Sequence, residues 1–453
     1  MRPDAYIPQS GDPSIRVNHY DITLDYRVTT NRLTATAVVR GTALATTKAL
    51  SFDLVGLRAT KVTAVGARVA AFHQSDRKLR VSLVAPIAIG EGFEIVITYA
   101  GAPRPRRSRW GTIGWEELED GALVASQPTG AATWFPCNDV PSDKPTSRLT
   151  VTVDQAYTVI ASGVRTARTS RGGKSTWVFE QNVPTSTYLM TVQIGRYVEE
   201  VVPLAGPVGR LFYPPALAGR VHADFADLSR MVSVFQKLFG PYPLEEYAVV
   251  VTADDLEIPL EAQGIGVFGG NHIDGTGGLE RLVAHELAHQ WFGNSVGVSK
   301  WQDIWLNEGF ACYSEWLWSE NSGGLSAHQK ALAHHGRLSA LPQDIVLSDP
   351  GPDLMFDDRV YKRGALTLHA VRLTVGDDAF FRLLAAWSRM YRASTATTGD
   401  FIALAEDVSQ VPIARLLHRW LNLTPLPTLP AVDGGGPFSS DALSVPPPEP
   451  SLN

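Results

Sequence analysis

Leu282-Val283-Ala284-His285-Glu286-Leu287-Ala288-His289-Gln290-Trp291 combines apolar residues at helical spacing with an H-E-x-x-H pattern. The periodicity from Leu279 to Phe292 predicts one helix, and Gly293-Asn294 supplies its stop. Residues four apart on a helix stand one turn from each other. His285 and His289 can therefore grip a single ion at about 2.0–2.1 Å per Zn–N bond. Glu286 shares the helix and can face a water at an open coordination position. After 18 intervening residues, Trp305-Leu306-Asn307-Glu308-Gly309 offers Glu308 from a second helix. Two histidines and one carboxylate leave a fourth position open, the pattern of a catalytic zinc, whereas structural sites close the sphere and usually use cysteine.

One Zn2+ held by His285, His289 and Glu308 is expected to bring the pKa of a water toward about 7. Glu286 then accepts the water proton and hands it to the leaving amine. Hydrolysis also needs a donor for the oxyanion. Tyr361, in Val360-Tyr361-Lys362-Arg363-Gly364-Ala365, is the candidate, although a tyrosine opening a helix is more often a packing group.

Composition narrows the classes open to the chain. Its 453 residues, 44% of them hydrophobic, are enough for two to three domains with their own cores. A net charge of −6 is small for this length and argues against nucleic-acid binding or a polybasic membrane role. Two cysteines far apart, Cys137 and Cys312, make no disulfide framework. Met1–Pro8 lacks the apolar core of a secretory signal, and no stretch reaches the ~18 apolar residues of a membrane span. The expectation is a soluble, cytoplasmic monomer.

The pattern changes along the chain. Tyr20–Tyr26, Arg80–Val84 and Arg148–Val153 alternate at period two between Gly, Pro, Asn and Asp punctuation, and Tyr188–Gly195 reads as a late strand. Residues 1–203 are expected to form a β-rich domain. From 204 to 430 the pattern is mainly helical. Helices are predicted over Ala223–Phe239, 279–292, 303–319, 358–374, Asp377–Met390, Gly399–Val408 and Ile413–Leu421, with a strand at Tyr247–Thr252. Residues 431–453, rich in Pro, Gly and Ser, read as a flexible tail.

Together these motifs resemble the gluzincin aminopeptidases of the aminopeptidase N and leukotriene hydrolase type. The likeness covers roughly residues 10–425, in the family's order and spacing. Trp134-Phe135-Pro136-Cys137-Asn138-Asp139-Val140-Pro141 is similar to that family's F-P-C-x-D-x-P segment, and Val360–Ala365 to its V-Y-x-K-G-A segment, with Arg363 in the usual place of lysine. The resemblance implies an α+β fold: an N-terminal antiparallel β-rich saddle or sandwich domain, then a thermolysin-like, mainly helical zinc catalytic domain. It implies that Tyr361 stabilises the oxyanion. It implies peptide substrates with a free N-terminus, whose ammonium is bound by Glu261, in Ile258-Pro259-Leu260-Glu261-Ala262-Gln263, and by Gln127. Several departures stand out. Ile258 and Ala262 replace a Gly and an Asn, Pro259 has no backbone N–H to give to substrate, and a large C-terminal helical domain usual in relatives is expected to be missing.

Asp303 is a candidate acceptor for a ligand histidine or an N-cap of the second helix. His272, His334, His335 and His369 are expected to be packing or surface histidines. The same scaffold also accommodates an epoxide or ester hydrolase, or a non-catalytic binding protein with a vestigial zinc site.

Overall fold

The computed structural model describes residues 3–431, so the predicted tail lies outside the described residues except at Ala431. The chain divides into two compact units, one made of Met1–Ala226 and Pro243–Gly278, the other of Asp227–Tyr242 and Leu279–Asn453.

The first unit is built on sheets. Seven strands lie in the order Val164–Arg171, Lys174–Gln181, Thr146–Asp154, Ile15–Arg27, Arg32–Ala43, Gly92–Gly101, Arg58–Val65. Ile15–Arg27 shows how sequence sets the pleat. Ile15 and Val17 point inward at odd positions, and Tyr20, Ile22, Leu24 and Tyr26 at even ones. A register shift between Val17 and His19 makes the change of parity, since one extra residue reverses the facing of all that follow. The expected antiparallel pairing holds except at one seam, where Ile15–Arg27 runs parallel to Thr146–Asp154 with Ile22 opposite Leu149. Trp115, Trp134, Phe135 and Trp177 lie in the core of this unit.

A mixed five-stranded sheet orders Val198–Pro203, Val208–Tyr213, Glu246–Val251, Ile265–Phe268 and Leu260–Ala262. Its middle strand is buried along Tyr247–Val251, as an inner strand between parallel neighbours requires. Glu261 lies on the edge strand, opposite Gly266. Of the predicted strand Tyr188–Gly195 only Val192–Gly195 pairs as a strand, because Thr187–Leu189 closes a 3-10 turn with all three residues buried. That apolar run lacked alternation, so its period could not separate turn from strand.

Nine α-helices occur among the described residues: α1 Ala218–Asp224, α2 Leu228–Phe239, α3 Glu280–Ala288, α4 Trp305–Ser322, α5 Ala327–Ser339, α6 Asp358–Val375, α7 Asp377–Met390, α8 Thr398–Ser409 and α9 Ala414–Asn422. The helix expected over Ala223–Phe239 is interrupted at Phe225–Asp227, where the chain passes from one unit to the other. Phe225 packs on Phe268 in the first unit, whereas Phe235 and Phe239 pack on Trp291 in the second. Two cores claim one periodic stretch, and the helix breaks between them.

Phe310 of α4 organises the helical core, with ring centroids 4.5 Å from Phe292, 5.6 Å from Phe401 and 6.4 Å from Trp387. Its truncation to alanine is expected to cost about 3–5 kcal/mol. Helices α4 and α6 meet backbone to backbone at Gly309 and Gly364. A Cβ on Gly364 would stand 2.7 Å from the Gly309 Cα, and one on Gly309 2.8 Å from the Gly364 Cα. Only glycine permits this approach. It sets the residues beside Glu308 against those beside Tyr361.

Candidate metal centre

Helix α3 ends at Ala288, four residues short of the predicted Phe292, and His289 is its C-cap. The His289 N–H still donates to the His285 carbonyl at 3.1 Å, so the two rings keep the one-turn spacing the motif requires. Glu308 sits in the first turn of α4, and Tyr361 in the first turn of α6.

Ligand atoms of His285, His289 and Glu308 lie within 4.8 Å of one another, and all three residues are buried. Glu308 Oε2 stands 3.6 Å from His285 Nε2 and 3.4 Å from His289 Nε2. Two donors bound at about 2.0–2.1 Å on tetrahedral directions are separated by roughly 3.3 Å, so both Glu308–histidine separations are close to the spacing of a shared ion. The remaining ring nitrogens are committed elsewhere. His285 Nδ1 lies 2.7 Å from Glu315 Oε1, and His289 Nδ1 lies 3.0 Å from the Phe292 carbonyl oxygen. With each Nδ1–H donating outward, each Nε2 presents a lone pair inward. This donor set fits a metal ion.

The electrostatics follow the same plan. Burial alone would raise the Glu315 carboxyl, but the Lys362 charge and the His285 hydrogen bond outweigh it and hold the group well below the usual carboxylate range. Arg281 Nη1 stands 3.6 Å from Glu315 Oε2. Glu286 is buried on α3, and burial pushes its carboxyl above the ordinary glutamate value. The Tyr361 ring stacks near His285, with centroids 6.1 Å apart and planes 17° from parallel.

Five of the predicted residues, His285, Glu286, His289, Glu308 and Tyr361, thus come together in the helical unit. Glu261 and Gln127 belong to the other unit. The Gln127 side-chain nitrogen is buried without a hydrogen-bond partner among the described residues. Asp303 instead accepts from the Thr398 hydroxyl at 2.6 Å and its N–H at 3.2 Å, tying down the start of α8. The histidines set aside have other contacts: His334 stacks on Trp316, His369 bonds Tyr313 and His328, His335 reaches the Pro427 carbonyl, and His272 accepts from the Gly269 N–H. Sequence reading missed Glu315. Its signal was the spacing of seven from Glu308, two turns along the same face of α4.

The chain matches two descriptions of one family: the peptidase M1 N-terminal domain over residues 16–189 and the peptidase family M1 domain over residues 226–420. A solved M1 zinc metallopeptidase from Deinococcus radiodurans is similar at a TM-score of 0.86 and 31% identity, covering 94% of this chain and 99% of that one. A variant of that protein bound to a Tyr-Ser-Ala substrate is similar at a TM-score of 0.87 and 31% identity, with 95% and 99% covered. Leucyl aminopeptidase of Saccharolobus solfataricus is 26% identical over 431 residues, covering 90% of this chain and 53% of the relative. Aminopeptidase M1-D of Oryza sativa subsp. japonica is 25% identical over 380 residues, with 78% and 43% covered. The chain spans about half the length of these curated relatives.

Proposed function

The chain belongs to peptidase family M1, and from that premise we propose that it is a zinc-dependent aminopeptidase hydrolysing the N-terminal peptide bond of peptides. The observation that carries the reading is the inward convergence of His285 Nε2, His289 Nε2 and Glu308 Oε2 while both Nδ1 atoms are engaged outside the site. His285, His289 and Glu308 would hold one zinc ion, which when bound would supply Lewis acidity and lower the pKa of a water. Glu286 is assigned as the general base that takes the water proton and delivers it to the departing amine nitrogen. Tyr361 is assigned to donate its phenolic hydrogen to the developing oxyanion, a role supported by its ring lying beside His285.

Glu261 and Gln127 are assigned to the substrate's ammonium. A carboxylate on that cation restricts cleavage to free N-termini, because an acylated amine offers no positive partner. The tripeptide held by the Deinococcus relative's variant supports peptides as the substrate class. The partition into a β-rich segment 1–203 and a peptidase segment 204–430 belongs to the same proposal, as does a monomeric state. No helix among the described residues is long and apolar enough to cross a membrane, and both cysteines are free and buried. These features support a cytoplasmic location.

The test is a pair of fluorogenic aminoacyl amides differing only in acetylation of the α-amine. Turnover of the free amine and none of the acetylated one is expected; equal turnover of both contradicts the aminopeptidase reading.

A further inference from the structure

Alanine at position 248 leaves a hollow in the mixed five-stranded sheet. Parallel register sets Arg210, Ala248 and Ile265 side by side on three adjoining strands, and Phe212, Val250 and Val267 two residues further along. Side chains two apart on a strand share a face, so both rows front the same side. Every side chain of the second row is bulky and buried. In the first, a single methyl stands between two longer side chains, and a cavity of about 200 Å³ opens beside it. Its floor is apolar. Ile160, Phe212, Ala248 and Ile265 belong to one buried hydrophobic cluster, and Ala161 and Phe179 join them in the lining. Thr166, Asn182 and Glu245, all exposed, form its mouth.

One polar group of the lining is left unmet. Gln263 is 1% exposed. Its backbone N–H donates to the Leu189 carbonyl at 3.2 Å and its Nε2 to the Pro184 carbonyl at 3.4 Å, but its buried Oε1 accepts no hydrogen bond from the described residues. A buried acceptor without a donor costs free energy, so this position favours a ligand that supplies one. The charged groups of the lining are spent on each other. Arg165 gives both Nη atoms to Glu199 at 2.7 and 2.9 Å, and Arg210 bridges Glu199 at 2.9 Å and Glu246 at 3.1 Å. An anion would find both guanidiniums engaged, and Glu245 at the mouth adds negative charge against it.

We propose that this cavity is a binding site for a small neutral or cationic aromatic molecule bearing an N–H, of the indole or arylamine class, with its ring on the apolar floor and its N–H donating to Gln263 Oε1. Size supports a ring system, since an apolar cavity of roughly 150 Å³ takes up benzene. Phe179 and Phe212 supply aromatic partners for it. All of these residues lie in the β-rich unit, so the site stands apart from the zinc reading.

The experiment titrates the full chain with indole and with indene, the same skeleton with CH2 in place of N–H, by calorimetry. Indole is expected to bind saturably and about tenfold or more tighter than indene, which leaves the Gln263 carbonyl unmet. In Gln263→Leu that preference should shrink to within about twofold. In Ala248→Leu, whose longer side chain fills the hollow, both ligands should bind about tenfold or more weaker. Wild-type protein that binds indole without saturation, or no tighter than indene, overturns the proposal, and this comparison needs no variant. So does a Gln263→Leu protein that keeps the preference, or an Ala248→Leu protein that binds indole as wild type does. Circular dichroism checks that the variants fold; Gln263→Met and Ala161→Leu carry the same comparisons if the first pair does not.

Discussion

Two places in this chain bury several ionisable side chains, and they do opposite things with them. In the β unit, Asp53, Asn138, Asp139 and Asp143 turn their polar atoms onto the chain around them. Asp53 accepts from the Gly11 and Asp139 N–H groups at 2.7 and 3.1 Å and pairs with Lys78 at 2.7 Å. Asp143 accepts from the Val17 N–H and the Asn138 side chain, and Asp139 accepts from the Thr187 hydroxyl. In the helical unit, the bonds at the periphery instead serve to leave three lone-pair donors facing one another. Burial of charge is therefore not what marks the site. The mark is that atoms left over from three residues, His285, His289 and Glu308, converge within 4.8 Å of one another, whereas the β cluster leaves over the single Asp139 Oδ2.

Substitutions at the metal centre should strike chemistry, and those in the β-unit cluster should strike stability. Glu286→Gln keeps the shape and the metal donors but removes the base; kcat should fall by about 10²–10⁴-fold with zinc content unchanged, measured by steady-state kinetics and elemental analysis. Tyr361→Phe should lower kcat by about 10²–10³-fold with little change in KM, since the oxyanion exists only beyond the ground state. Glu261→Ala should lower kcat/KM for free-amine substrates by about tenfold or more, mostly through KM, because a charge-assisted hydrogen bond is worth roughly 1.5–3 kcal/mol. An unchanged KM would remove its anchoring role.

Smaller effects are expected away from the donors. Gly364→Ala must push α4 from α6, and chemical denaturation should show a loss of about 1–3 kcal/mol. Asp139 gives the clearest contrast, an effect on stability with none on chemistry. Burial, helped by the charge of Asp53, raises its carboxyl to about 7. Its folded value exceeds the ordinary one of about 3.9, so its contribution to stability is complete below pH 4 or so and is lost as pH rises to about 7. The slope is at most about 1.4 kcal/mol per pH unit. Asp139→Asn removes that titration, so its melting temperature relative to wild type should improve between pH 5 and pH 7.5 while kcat stays the same. A constant difference would place the Asp139 carboxyl outside this account.

How much of this was legible in the sequence differs between the two regions in the same way. His285, Glu286, His289 and Glu308 could be read because a helix converts spacing into direction, whereas Tyr361 was singled out only through the family resemblance, since a tyrosine opening a helix has no spacing that marks it. Helix α7 was bounded to the residue by Gly376 before it and its own amphipathic period. Glu315 obeyed the same rule at seven residues but carried no motif of its own. Helix α5 escaped because Ala, His and Gln give a weak stripe, although Ser326 and Gln329 form the capping box that announces it. The interruption at Phe225–Asp227 and the parallel seam beside Ile15–Arg27 depend on which distant residues pack where. Local periodicity does not carry that information.

Anomalous diffraction at the zinc edge from crystals of the protein tests the central claim most directly. One peak is expected, about 2.0–2.2 Å from His285 Nε2, His289 Nε2 and a Glu308 oxygen, with His285 Nδ1 still bonded to Glu315. No peak between these residues in zinc-replete crystals, or rings turned so that Nδ1 faces inward, would contradict the account.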